Sequence, residues 1–414
     1  MISASRAMSE SHIASQRSKS GVPFRLSGRS PRNIKAREVN MDKLTKAREE
    51  ISAVDREMAA LFVRRMNAVR AVSEYKTEHG LPVYDAAREE TLLTKNASYI
   101  VDDELRGYYM DFQRNAMRVS RRFQEKLMCG MRVAFCGVEG AFASIAAAKI
   151  FDTAMRIPYP DFKSAYTSVV EGECDCAVLP IENSTAGEVA QVMDMMFSGP
   201  LYVTGIYDLS VSHNLMAVPG TAISDVEEVI SHPQALAQCA HYIRKHGFRE
   251  RKFENTALAA KFVLEQNSPR LAAIASEETA ALYGLTILDK NINENNINIT
   301  RFAVLARTAV PRETASDKGR HSILMFTVKD EAGSLAKAIN VIGKHGFNMQ
   351  CLRSRPMKDL LWRYYFYVEA EGDFGSPEGK AVMEELALCC DRLRMFGSFR
   401  YPATLHVENP EDAI

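Results

Sequence analysis

The sequence predicts a multidomain α and α/β chain. Three observations carry that prediction. An apolar heptad starts at Leu44 and runs for about 35 residues. Short apolar runs alternate with helical patterns between residues 130 and 308, the signature of an α/β sheet. The order βαββαβ, a ferredoxin-like unit, follows between residues 320 and 402. A length of 414 residues fits two to three domains.

Composition narrows the class. Hydrophobic residues make up 46% and charged residues 25%, as in ordinary globular chains. The 52 Lys/Arg and 52 Asp/Glu balance, so nothing predicts nucleic acid or an anionic membrane as partner. No apolar run reaches the ~18–20 residues of a membrane span. The eight cysteines are scattered, with no C-x-x-C pair and no Cys/His spacing for zinc. Reduced thiols in a cytoplasmic protein without a bound metal are the expectation.

Residues 1–40 form a basic Ser/Arg-rich segment. Eight Lys/Arg against two acids make it +6, which leaves −6 on the rest of the chain. It carries no apolar h-region and no visible amphipathic pattern, so it reads as a disordered tail. Met41, where the helical pattern begins, is a candidate start of translation.

Over residues 41–128 three helices are expected. The first carries one column of Leu44, Ile51, Met58, Arg65 and Val72, and a second of Ala47, Val54, Leu61, Ala68 and Tyr75. Gly80-Leu81-Pro82 stops it. The second starts near Asp85 and the third near Asp102. Arg65 interrupts an apolar column, where an unpaired charge is costly. Arg48 and Lys76 flank the same seam, four heptads apart. Ion pairs with Asp85 or Glu89 would explain the cations, and so would a ligand bearing two carboxylates. Arg88 adds a guanidinium for bidentate carboxylate binding. Ser120 and Gln124, at i and i+4, share one face of the third helix.

These residues, at this spacing, resemble the all-helical chorismate mutase family. The resemblance implies an intertwined dimer, with Arg48 donated across it. It also implies that Arg48, Arg65 and Arg88 grip carboxylates of chorismate, and that Lys76 and Gln124 donate to the breaking ether oxygen. Glu89 holds the ring hydroxyl, while Asp85 and Ser120 complete the set. The reaction is pericyclic, so only conformation and charge need be managed, without nucleophile or proton transfer.

Between residues 130 and 308, strands are expected at Arg132–Cys136, Cys176–Ile181, Val226–Ile230, Lys252–Glu254 and Leu271–Ala275. Polar residues follow them: Glu182-Asn183-Ser184-Thr185, Ser231-His232-Pro233-Gln234 and Asn255-Thr256. Each group reads as a helix cap, or together they read as an anion site. Gly137-x-x-Gly140 lacks the third glycine of a dinucleotide fingerprint, which argues against an NAD-dependent dehydrogenase. With Gly137–Ser144, Val178–Gly187, Ser231–Gln234 and Asn298-Ile299-Thr300-Arg301-Phe302, the segment resembles prephenate dehydratase. Two α/β lobes with the site between them are thereby implied. Thr300 becomes the essential hydroxyl, and Glu182, Asn183, Ser184, His232 and Arg301 the substrate-binding set. Glu182 and His232 are candidate proton donors, and Arg301 binds carboxylate or pairs between lobes.

The last unit resembles an ACT domain. Phenylalanine-binding motifs there correspond to Gly333-Ser334-Leu335 and Arg353-Ser354-Arg355-Pro356. Ser334 stands where Ala is usual, and Arg353 where Glu is usual. The expectation is a bifunctional enzyme acting on chorismate and prephenate, without cofactor, with L-phenylalanine as effector, as a homodimer or larger homo-oligomer. A catalytically reduced aromatic-acid sensor and a periplasmic solute-binding protein are the rival classes. Intact Arg65, Lys76, Gln124 and Thr300 weigh against the first, and the mutase-like segment with the lack of a secretory signal pattern weighs against the second.

Overall fold

Helix α1 (Pro31–Glu78) opens the described chain. The structure, a computed structural model, describes residues 31–295, 297–310, 319–358, 360, 362–400 and 403–405. The tail expected over residues 1–40 thus lies outside the description as far as residue 30, but from Pro31 the backbone is already helical. Proline suits a first helical position, where its missing N–H is not needed. The chain divides within α1 into two compact units, one ending at Ala68 and one starting at Val69.

In the first unit the helix leaves its apolar columns in solvent: Leu44, Ile51, Val54, Met58 and Leu61 are all exposed. In the second unit α1 ends before Gly80, whose φ of +61° turns the chain. Helices α2 (Ala86–Ala97) and α3 (Asp103–Cys129) follow, close to the expected starts. Asp85 caps α2 by accepting from the Arg88 N–H at 3.0 Å, and Asp102 caps α3 by accepting from Glu104 N–H at 2.9 Å.

The first α/β lobe comprises β1 (Arg132–Cys136), α4 (Phe142–Ile150), β2 (Met155–Tyr159), α5 (Phe162–Val170), β3 (Cys176–Asn183), β4 (Gly187–Glu188), α6 (Ala190–Ser198) and β5 (Tyr202–Ser210). The second lobe comprises β6 (Asn214–Ala217), β7 (Glu228–Ser231), α7 (Pro233–Gln238), α8 (Ala240–His246), β8 (Arg249–Lys252), α9 (Thr256–Gln266), β9 (Leu271–Ala275), α10 (Glu277–Tyr283) and β10 (Thr286–Asp289). The chain then returns to the first lobe as β11 (Ile299–Ala306). The strand expected at Lys252–Glu254 instead runs from Arg249 to Lys252. Its charged, exposed face hid it from an apolar-pattern reading.

The C-terminal module is β12 (Arg320–Val328), α11 (Ser334–Lys344), β13 (Met349–Pro356), β14 (Tyr364–Glu371), α12 (Pro377–Cys389) and β15 (Cys390–Arg400), with β16 (Ala403–Leu405) after it. Its antiparallel sheet has the order β13-β14-β12-β15. The first lobe has the order β16-β5-β11-β3-β1-β2, with β4 beside β3, and the second β10-β6-β9-β7-β8. Strand β11 therefore inserts between β5 and β3, antiparallel to both.

The module shares a core with the first lobe. Ile323, Met325, Tyr365, Tyr367, Phe396 and Phe399 join Leu179, Met193, Met196, Leu201 and Ile206 in one cluster. Both faces of β12 are consequently buried. Gly397 on β15 lies so close to Val203 of β5 that a Cβ there would collide with the Val203 carbonyl. Arg394 donates to the carbonyls of Gly199 and Leu201 beside it.

Candidate active site

The register of β3 against β11 places Thr300 opposite Asn183 and Arg301 opposite Glu182. Side chains alternate along a strand, so the two pairs face opposite sides of the sheet. Asn183 and Thr300 face the space between the lobes. Two cavities meet there, of about 240 and 600 Å³, and share Phe142, Asn183, Gln234, Glu254, Asn255 and Thr300.

Hydrogen bonds determine the direction of each polar group. The Asn183 Oδ1 accepts from the N–H groups of Thr185 (3.0 Å) and Ala186 (2.9 Å), which fixes its amide. Its Nδ2 must then donate, to Thr300 Oγ1 at 3.0 Å and Asn298 Oδ1 at 2.9 Å. With a lone pair of Oγ1 occupied, the Thr300 hydroxyl proton is available to a ligand. Asn298 Nδ2 donates to Gln238 Oε1 at 3.0 Å, and His213 Nε2 lies 2.8 Å from that oxygen. An amide oxygen only accepts, so His213 carries its proton on Nε2. Gln238 Nε2 and His213 Nδ1 have no partner among the described residues, and both side chains line the smaller cavity.

His232 caps α7 and accepts the Gln234 N–H on Nδ1 at 3.2 Å. Burial lowers its pKa below the usual 6.5, so at neutral pH it offers a neutral Nε2–H rather than an acidic proton. Asn255 caps α9 through Ala257 N–H at 2.7 Å. Cys136, in the wall of the larger cavity, is pushed up to about 11 by burial and by Asp161, and remains a thiol.

Three expected site residues do not line this cleft. Glu182 receives a hydrogen bond from Arg353 of the C-terminal module. Ser184 Oγ accepts from Ile299 N–H at 2.9 Å and so anchors the start of β11. Arg301 grips Asp208 through Nε (2.9 Å) and Nη2 (3.3 Å) and lies 3.6 Å from Glu369. Burial works against the Arg301 charge, but Asp208 and Glu369 raise its pKa overall. Conversely, His213, Gln238 and Glu254 line the cleft and were missed. Gln238 lies four residues beyond Gln234, one helical turn, which is the signal that could have found it.

In the helical part of the second unit, Lys76 Nζ donates to the Val83 carbonyl at 2.6 Å. Glu89 pairs with Arg121 at 2.8 Å, and that guanidinium stands 4.8 Å over the Tyr84 ring. Ser120 and Gln124 are buried on α3, and Gln124 Oε1 has no partner among the described residues. Arg88 is exposed beside its capping partner Asp85. In the first unit Arg48 is exposed, while partial burial of Arg65 lowers its pKa.

In the C-terminal module Gly333 (φ +84°) precedes α11, with Ser334 buried and Leu335 half-buried. Arg353 and Arg355 turn toward the first lobe. Arg355 bonds Asp194 at 3.1 Å and also Glu188. Ser354 and Pro356 point outward and are exposed.

Two families match the chain: chorismate mutase type II over residues 47–125 and prephenate dehydratase over residues 133–310. A bifunctional chorismate mutase/prephenate dehydratase of Aquifex aeolicus is 30% identical over 374 residues, covering 88% of this chain and 99% of that protein. The arogenate dehydratase/prephenate dehydratase 2 of Arabidopsis thaliana is 34% identical over 284 residues, covering 66% of this chain and 74% of that one. Among solved structures, the Arthrobacter aurescens prephenate dehydratase in complex with L-Phe has a TM-score of 0.59 and 27% identity, covering 66% of this chain and 92% of its own.

Proposed function

Because this chain belongs to the family of bifunctional chorismate mutase/prephenate dehydratases, it carries both activities, and we propose how its residues divide them. The cleft around Thr300 dehydrates prephenate. The helical seam that includes Lys76 and Gln124 rearranges chorismate.

In the dehydration, the bond from the ring to its carboxylate breaks and carbon dioxide leaves. The electron pair enters the ring and expels the ring hydroxyl as hydroxide. A proton taken up from solvent makes that hydroxide water, and phenylpyruvate remains. Thr300 donates a hydrogen bond to the departing oxygen, which the Asn183-held orientation of its hydroxyl supports. Neutral His232 supplies a further donor through Nε2. Phe142, Phe162 and Phe302 give the larger cavity an apolar wall, which suits loss of a carboxylate. The single observation that carries this reading is the Asn183–Thr300 hydrogen bond inside a polar cleft.

For the rearrangement, Arg48, Arg65 and Arg88 grip carboxylates while Lys76 and Gln124 face the ether oxygen. The site is completed in a homodimer, with Arg48 crossing from the second copy. The exposed apolar column of α1 supports that assembly. The C-terminal module acts as a ferredoxin-like ACT domain through which L-phenylalanine inhibits. Its strand order supports this role, as does the L-Phe bound to the Arthrobacter aurescens relative. The protein works in the cytoplasm, consistent with eight free cysteines. Among the described residues no helix is long and apolar enough to cross a membrane.

The test feeds the purified chain chorismate and, separately, prephenate, and follows phenylpyruvate. Product from both is expected. Product from prephenate alone overturns the mutase assignment, and product from neither overturns both. Calorimetry with L-phenylalanine tests the effector, and absence of binding discards it.

A further inference from the structure

We propose that Arg353 of the C-terminal module is a positioning residue for the dehydratase step, acting through Glu182 on the strand pair that carries Asn183 and Thr300. The inference rests on the dehydratase reading of that strand pair.

Glu182 immediately precedes Asn183, and Arg301 immediately follows Thr300. Since β3 and β11 pair these residues in register, Glu182 and Arg301 form the reverse side of the catalytic pair. Both are held from that side by the C-terminal module. Arg353 on β13 donates to Glu182, and Glu369 on β14 stands 3.6 Å from Arg301. Behind the strands lies a separate cavity of about 410 Å³, lined by Glu182, Asp208, Arg301, Cys351, Arg353 and Glu369. The groups are partly desolvated: the side chains of Arg353 and Glu182 are 28% and 27% exposed, and that of Glu369 only 3%. Ion pairs in such surroundings outweigh fully exposed ones.

The strands themselves need this support. The register of β11 on β3 shifts between Arg301 and Phe302, one residue past Thr300. The bulge lies on the β3 side only, for pairing with β5 runs unbroken from Ile299 to Val304; the Arg353–Glu182 contact therefore braces the side on which the ladder is interrupted. Without Arg353, Glu182, Asp208 and Glu369 would be left around Arg301, three carboxylates to one guanidinium. Their repulsion would act on the residues that neighbour Asn183 and Thr300. A glutamate at position 353, usual in the resembled motif, would face Glu182 with like charge.

The experiment uses the full chain and measures kcat and KM on prephenate supplied directly. Thermal unfolding of the same samples reports folding of the lobes and the C-terminal module, and mutase turnover of chorismate reports the helical segment. Arg353→Ala is expected to lower dehydratase kcat about 10- to 100-fold, as sub-ångström to ångström misplacement does, with KM within about twofold. Mutase turnover should be unchanged. Arg353→Lys should restore part of the loss, and Arg353→Glu should deepen it. Joining Arg353→Glu to Glu182→Arg should recover activity above either single variant. If Arg353→Ala loses both activities by misfolding, Glu182→Gln carries the same reading. A kcat within twofold of wild type in Arg353→Ala, or in Glu182→Gln where the former misfolds, overturns the proposal. So does a charge swap that recovers nothing. A wild-type chain that fails to turn over prephenate overturns the dehydratase reading itself, and this proposal with it.

Discussion

The dehydratase cleft and the mutase seam are built on opposite plans. The hydrogen-bonded set in the cleft is assembled from neutral amides, an imidazole and one hydroxyl, all supplied by one chain. Asn183, Asn298, Gln238 and His213 form a continuous set ending at Thr300. The proposed seam draws on permanent cations on helices, such as Lys76 and Arg88. Its apolar positions, such as Ile51 and Leu61, stay 60% and 62% exposed in the single chain. A site made of hydrogen bonds that join two lobes of one chain is complete when that chain folds. A site strung along one long helix lacks a wall until another helix covers it.

Breaking the cleft should have the largest effect. On the proposed role of Thr300 as donor to the leaving hydroxyl, Thr300→Ala should lower dehydratase kcat about 10³-fold. Mutase turnover measured in the same sample should remain. Loss of both activities would refute separate sites. Lys76→Ala should do the reverse, lowering mutase turnover about 10²- to 10³-fold while prephenate is still consumed.

The plan of the seam can be tested without touching its cations. Ile51→Glu places a charge in the exposed apolar column. We expect sedimentation to show monomers and mutase turnover to fall at least about tenfold, because an unpaired buried charge opposes association. Dehydratase turnover should hold. A dimer of full mutase activity would break the comparison.

Smaller effects concern how the cleft is supported. Gly397→Ala forces a methyl group into the Val203 carbonyl, so thermal unfolding should show a loss of about 1–3 kcal/mol. The smallest effect is acid sensitivity. Burial lowers the pKa of His213, His232 and His321 below 6.5 in the folded chain. The unfolded chain therefore binds more protons as pH falls, and stability declines below pH 6.5. Well above that value all three are neutral in both states and the effect vanishes. Thermal melts at pH 7.5 and pH 5.5 should show dehydratase turnover failing at lower temperature in acid. His213→Gln should narrow that gap.

Local pattern gave strong guidance wherever the ligand of each polar group lies nearby in sequence. Asp85 and Asp102 open helices as their spacing predicts, and β1 and β9 run over the expected residues. Asn183, Thr300 and His232 were singled out and meet at one cleft. Gln238 and His213 were not, since a glutamine in a short helix and a histidine after a strand look ordinary until Asn298 connects them. Sequence position beside Asn183 and Thr300 makes Glu182 and Arg301 read as substrate ligands, with an ion pair the alternative for Arg301. Alternation along β3 and β11 sends them to the other face.

Composition, periodicity and capping are local properties, and they determined the three segments, most helix starts and the residues fit to do chemistry. Which residues meet was decided by the tertiary structure. Strand β11 returns from a second lobe to lie beside β3, joining Asn183 to Thr300 across more than a hundred residues. The C-terminal sheet closes the back of those strands through a common core and the Arg353–Glu182 pair. The order of strands in a sheet depends on chain entropy and on burial summed over the whole molecule, so no short stretch of sequence specifies it.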